Sequence, residues 1–181
     1  MKKLATSLPL ILALGACQPA VDQIQMAPTG GGSTVVETER AARLRARVDG
    51  FNAAFHAGDY ATVTSVMPPR LVARLAKRSG MSQRELRRLL TDTTAQLMKN
   101  TKLHSYSMQT NAPEIHQAGA IHYAILPTTT DLTAYGKRLK QSNNTLAIEE
   151  GGKWYLVRVE KPSHEVDIKA AYPELKSANI R

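Results

Sequence analysis

Met98-Lys99-Asn100-Thr101-Lys102-Leu103-His104-Ser105-Tyr106 is the stretch at which the chain changes period. Before Asn100, apolar residues recur at helical spacing. From Leu103 to Thr110 the sequence is rich in Ser, Tyr and Thr and reads as a strand, with His104, Tyr106 and Met108 on one face. Helices upstream and strands downstream of one switch point predict an α+β domain, with N-terminal helices packed on one face of an antiparallel sheet.

Upstream, the strongest local signal is Ser82-Gln83-Arg84-Glu85, a capping box in which the Ser82 hydroxyl and the Glu85 carboxylate each bond the other's backbone amide. Met81 and Leu86 are spaced to staple the start of this helix. Leu86, Leu89, Leu90, Thr93 and Leu97 predict its buried face. Further back, Ala41, Leu44, Val48, Phe51 and Phe55 line one side of a helix that begins near Val36, with Arg40, Arg43, Arg45 and Arg47 mostly off that stripe. Gly58 ends it and Asp59 caps a short second helix through Val63, Val66 and Met67. Pro68-Pro69 separates that from a third, carrying Leu71, Val72 and Leu75 and closed by Gly80.

Downstream, Asn111-Ala112-Pro113 turns the chain. Strands are expected at Glu114–Gln117 and Ala120–Leu126, the second ended by Pro127, with Thr128–Asp131 as loop. Residues 132–149 read as one long, irregular strand. Glu150-Gly151-Gly152-Lys153 reads as a hairpin turn and Trp154–Val159 as the return strand, stopped by Pro162 before a short helix near Val166–Tyr172.

Phe51-Asn-Ala-Ala-Phe-His-Ala-Gly-Asp-Tyr60, with Val63 and Val66-Met67-Pro68, resembles the opening of nuclear-transport-factor-2-like (cystatin-like) domains. Gly152-Lys-Trp-Tyr-Leu-Val157 resembles their final hairpin. The resemblance spans about residues 36–160 and implies a cone-shaped sheet enclosing a pocket. Members include isomerases, dehydratases and binding modules without activity, so the fold does not select among them. Enzymes of the group place an acid–base residue inside the cone, which makes His104, Tyr106, His122 and Tyr123 the catalytic candidates. No carboxylate falls in the middle of a predicted strand to orient either histidine, and no family active-site motif maps onto the chain. Trp154 is a candidate pocket residue, against the more ordinary role of a core residue.

The amino end reads independently. Lys2 and Lys3 precede an uncharged run from Leu4 to Ala16, too short to span a bilayer, with small residues before Cys17. Leu14-Gly15-Ala16-Cys17 resembles the lipobox of bacterial lipoproteins, which implies cleavage between Ala16 and Cys17 and acylation of Cys17. Gln18 in place of aspartate points, by the same resemblance, to the outer membrane facing the periplasm. The expected organisation is a signal peptide over 1–16, a Gly-rich tether over 17–35 and one domain over 36–181.

The formal net charge is +9, two units of it from Lys2 and Lys3. Residues 39–102 hold 13 Lys/Arg against 5 Asp/Glu, whereas 103–181 are almost balanced. The helical half therefore presents a basic face, with Arg84, Arg87 and Arg88 as candidate contacts for an anionic envelope component or an acidic protein partner; an exported protein has little access to nucleic acid. There is no phosphate loop, nucleophile elbow or dinucleotide fingerprint, and the five histidines lack carboxylates or thiolates at metal-ligand spacing, so neither a cofactor nor a metal is expected. These readings rank a lipid-anchored, non-enzymatic binding or accessory module first. A structural envelope role comes next, then an isomerase- or dehydratase-like enzyme using His104 or His122.

Overall fold

The computed structural model describes residues 31–181, with side chains from residue 37. The expected signal peptide, Ala16, Cys17 and most of the expected tether lie outside the described residues. Four helices come first: α1 (Gly31–His56), α2 (Tyr60–Ser65), α3 (Pro69–Arg78) and α4 (Gln83–Lys99). Five strands follow, β1 (Thr101–Met108), β2 (Ile115–Ala118), β3 (Ile121–Ala134), β4 (Lys137–Glu150) and β5 (Lys153–Val159), then α5 (Pro162–Ala171) and a 3₁₀ turn at Pro173–Leu175. The α+β arrangement of helices on a curved antiparallel sheet is the one observed, and the period change after Asn100 marks its junction.

Local chemistry sets the helix ends. Glu85 N donates to Ser82 Oγ at 3.2 Å and Ser82 N donates to Glu85 Oε2 at 2.7 Å, so both halves of the capping box form. Thr62 N donates to Asp59 Oδ1 at 3.0 Å and starts α2 after Gly58 turns the chain with φ +72°. The buried face of α4 differs from the expected one. Leu86 is buried and Leu90, Thr94 and Met98 half-buried along a four-residue spacing, while Thr93 is exposed and Leu89 and Leu97 are 47% and 51% exposed. A narrow stripe suffices because α4 packs chiefly on the small helices α2 and α3; Thr91 and Thr64, for example, pair hydroxyls at 2.7 Å.

The sheet runs β1-β3-β4-β5, all antiparallel, and β2 pairs with the first part of β3 on the side that β1 takes further along. Two expectations fail on β3. Pro127 does not end the strand, and Thr128–Asp131 continues it, paired to both β1 and β4. Pro127 is tolerated because β2 reaches only Ala124 and β1 only Thr128, so the missing N–H falls in the gap between them. Its carbonyl accepts Gln109 N at 2.9 Å. The threonine run is β-branched and suits a strand. Nor is 132–149 one strand: Tyr135-Gly136 forms a two-residue turn, with φ +49° and +77°, that divides β3 from β4.

Alternation splits the core into two layers. Ala124, Leu126, Ala147, Trp154 and Leu156 face α1, meeting Leu44, Val48 and Val66. Ile121, Leu146, Ile148 and Val159 point the other way, where Ile168, Tyr172, Leu175 and Ile180 cover them. Thus α5 and the C-terminal turn cover the second face of the sheet, which the sequence reading left bare. The outer edge of β5 is occupied as well. Leu156 N donates to Val66 O at 2.8 Å and Arg47 Nε donates to Trp154 O at 2.6 Å, which satisfies edge groups that would otherwise invite another strand.

Candidate functional site: an apolar cavity under the helices

The helices do not fill the concave face of the sheet. They leave a cavity of about 580 Å³, within the range of small-molecule sites. Phe51 and Phe55 of α1 form one wall, stacked on each other with ring centroids 6.0 Å apart. Val63, Thr64 and Met67 come from the α2 region, Leu71 and Leu75 from α3, and Thr94 from α4. The sheet contributes Tyr106, Met108, Thr145 and Leu156, and α5 closes the far end with His164, Asp167 and Ile168. The helical spacing that makes α1 amphipathic carries Leu44 and Val48 into solid core, and one turn later brings Phe51 and Phe55 to the cavity.

Several polar side chains also line this space, and most have partners; Arg158, for one, pairs with Glu160 at 2.8 Å. Burial pushes the Tyr106 hydroxyl above its ordinary range, although the Arg158 charge and the Thr145 hydroxyl act in the opposite sense, so it is protonated at neutral pH. Beneath it, Thr128 Oγ1 donates to Leu126 O at 3.0 Å and lies 2.8 Å from Thr145 Oγ1. At the α3–α5 end Arg78 Nη1 donates to both oxygens of Asp167, at 2.6 and 2.7 Å, and Arg74 Nε lies 3.4 Å away. The cavity is therefore a hydrocarbon-lined space with a hydroxyl floor and a neutralised ion pair at one end.

Of the four catalytic candidates, only Tyr106 lines it. His104 is exposed, with Nε2 2.8 Å from Thr133 Oγ1. His122 sits below α1, its Nδ1 3.4 Å from Glu149. Tyr123 packs on the opposite side of the sheet, tilted against His116 with centroids 5.1 Å apart. The four do not converge. Trp154 is 2% exposed in the α1-facing core, where Nε1 donates to Arg40 O at 3.1 Å; it does not line the cavity. Arg84 and Arg88 are exposed, whereas Arg87 Nη1 reaches toward Thr64 O at 3.5 Å.

Sequence reasoning missed the charged groups that tie the two halves together. Glu149 is only 8% exposed, yet accepts Arg40 Nε at 2.6 Å and Arg43 Nη2 at 2.8 Å. Burial would raise its carboxyl pKa, but the hydrogen bonds from Arg43 and Arg40 outweigh that and hold it below the ordinary range. Arg70 likewise binds Glu174 at 3.0 Å and lies 4.1 Å over the Tyr172 ring. Arg40, Arg43 and Arg47 recur at three and four residues beside Leu44 and Val48, a spacing that turns them toward the sheet. That was the available signal. Part of the basic excess of the helical half is thus consumed inside the fold by carboxylates of the sheet, α5 and the 3₁₀ turn. Among the described residues no three His, Cys, Asp or Glu side chains gather as a metal site, and no helix is long and apolar enough to cross a membrane. No family model, curated protein or solved structure matches the chain.

Proposed function

We propose that this protein is a non-enzymatic binding module of the cell envelope, lipid-anchored through Cys17 and probing its surroundings with an apolar ligand site in the cone. The observation that carries this reading is the 580 Å³ cavity, walled by Phe51, Phe55, Val63, Met67 and Met108, with its ion pair internally neutralised. Burying an apolar chain there gains about 25 cal/mol for each Å² removed from water, while a charged ligand would find no unpaired counter-ion among the acids and bases at the α5 end. Neither His104 nor His122 is placed to exchange a proton with a ligand in this space. The same outline, with the Gly58-Asp59 turn after α1 and a closing hairpin bearing Trp154, supports kinship with the nuclear-transport-factor-2-like group. The lipobox pattern at Leu14–Cys17 supports the lipid anchor, and Gln18 after it supports delivery to the periplasmic face of the outer membrane.

The test is a titration of the full chain with a fluorescent long-chain acyl probe, competed by an unlabelled long-chain alcohol. Saturable one-site binding is expected, weakened more than tenfold by Val63→Trp, which fills the cavity, with the melting transition preserved. Absence of saturable binding, or equal binding by the filled variant, contradicts the reading.

A further inference from the structure

At the turn between β3 and β4, three strands end together. Register places Thr101 and Lys137 on either side of Ala134, and Lys102 and Arg138 on either side of Thr133. The turn between β3 and β4 projects from this end. Several arginines elsewhere are spent on carboxylates: Arg40 and Arg43 on Glu149, Arg70 on Glu174, Arg78 on Asp167. Here Lys102, Lys137 and Lys140 are exposed and form no ion pair among the described residues. The acid within reach, Asp131, is taken by Arg138 at 2.8 Å. By alternation Lys102 and Lys140 project from one face of the sheet and Lys137 from the other, so positive charge surrounds the tip.

The apex of that ring is apolar. Tyr135 is 74% exposed and Leu139, in one row with Leu103 and Leu132, is exposed too. Tyr135 is also the one non-glycine residue with positive φ among the described residues, +49° at a position where Asn, Asp or Gly is the relaxed choice. Beyond Asn144 toward the tip, β5 no longer pairs with β4, so Lys137–Asn143 has an open edge. Lysines by themselves are an ordinary defence of such an edge. They do not account for an exposed aromatic held in an unfavourable backbone region, a combination that points to use outside the fold.

We propose that the β3–β4 hairpin end docks on an anionic phospholipid surface, Tyr135 and Leu139 entering the interfacial layer while Lys102, Lys137 and Lys140 meet the headgroups. Tyrosine favours that layer because its ring is apolar and its hydroxyl wet. Each lysine near a negatively charged leaflet strengthens partitioning about fivefold, and the attraction fades with added salt. The surface is separate from the cavity and does not depend on acylation of Cys17.

The experiment compares the full chain with the triple variant Lys102→Gln, Lys137→Gln, Lys140→Gln on phosphatidylcholine vesicles with and without phosphatidylglycerol. The leader contributes equally to both proteins, so the difference between them isolates the tip. The wild type is expected to prefer the anionic vesicles, and the variant to lose more than tenfold of that preference with its melting transition intact. Amide exchange is expected to slow at residues 134–143 when anionic vesicles are added. Equal partitioning by the two proteins, protection located in α4 instead, or binding to polyglutamate without binding to vesicles would each overturn the proposal.

Discussion

Replacing Glu149 with glutamine keeps the shape of the side chain and removes its charge. The carboxylate is 8% exposed and joins α1 to β4 across 109 residues of sequence, with Arg40 Nε at 2.6 Å, Arg43 Nη2 at 2.8 Å and His122 Nδ1 at 3.4 Å. Breaking a buried ion pair by neutralising one partner costs about 3–5 kcal/mol, mostly from the charge left behind. Two features reduce that figure. Arg43 is half-exposed and can return to water, and the glutamine oxygen still accepts one bond from Arg40. The expected loss is about 2–3 kcal/mol, a substantial part of the 5–15 kcal/mol of a typical domain. Urea unfolding of the full chain at neutral pH should then show a midpoint lowered by about 1 M at a slope of about 2–3 kcal/mol/M.

The same pair carries a pH signature. The Glu149 carboxyl is depressed in the folded protein relative to its ordinary value of 4.5. Its contribution is therefore fully present above about pH 4.5 and is lost as the pH falls through the folded-state value. The stability gap between wild type and Glu149→Gln should narrow as the pH falls below that point. A gap under 0.5 kcal/mol at neutral pH, the ordinary range for a surface substitution, would refute the assignment of Glu149 as the tie between α1 and the sheet. So would a gap that does not change with acid.

Other consequences are narrower. Ser82→Ala removes one half of the capping box and should cost about 1 kcal/mol, read as a melting point lower by about 2–4 °C. Tyr135→Asn relaxes the +49° turn residue and should raise the melting point by a few degrees while weakening adsorption to anionic vesicles; a lower melting point would show that the tyrosine stabilises the turn. Cys17→Ser should leave the precursor uncleaved and unlabelled by radioactive fatty acid, and normal labelling would remove the lipobox reading.

Which features were legible follows from how local their causes are. The capping box, the Asp59 cap and the Gly151-Gly152 turn each depend on residues within four positions of one another, and all three form where the sequence places them. Pro127 and the threonines after it depend on where β1 and β2 end, a tertiary fact that no window around residue 127 contains. Tyr135-Gly136 lacks the Asn-Gly or Asp-Gly pair that usually announces a type I′ turn, so β3 and β4 merged into loop and one irregular strand. In α4, period alone cannot separate Leu90, which packs, from Leu89 and Leu97, which do not. At the site, Phe51, Phe55, Tyr106 and Met108 could be assigned to inward faces, but that the helices stop short of filling the space between them is a property of their packing. The histidines misled because strand parity is interrupted between Leu103 and Ser105 and because His122 meets Glu149 before it meets any cavity.

The most direct test of a ligand-accepting cone follows the methionine methyl signals of the full chain as a long-chain alcohol is added. Met67 and Met108 line the cavity, whereas Met81 and Met98 do not. Saturable shifts at Met67 and Met108, with Met81 and Met98 unmoved, are the predicted result. Unchanged Met67 and Met108 signals, or uniform shifts at all four, would contradict it.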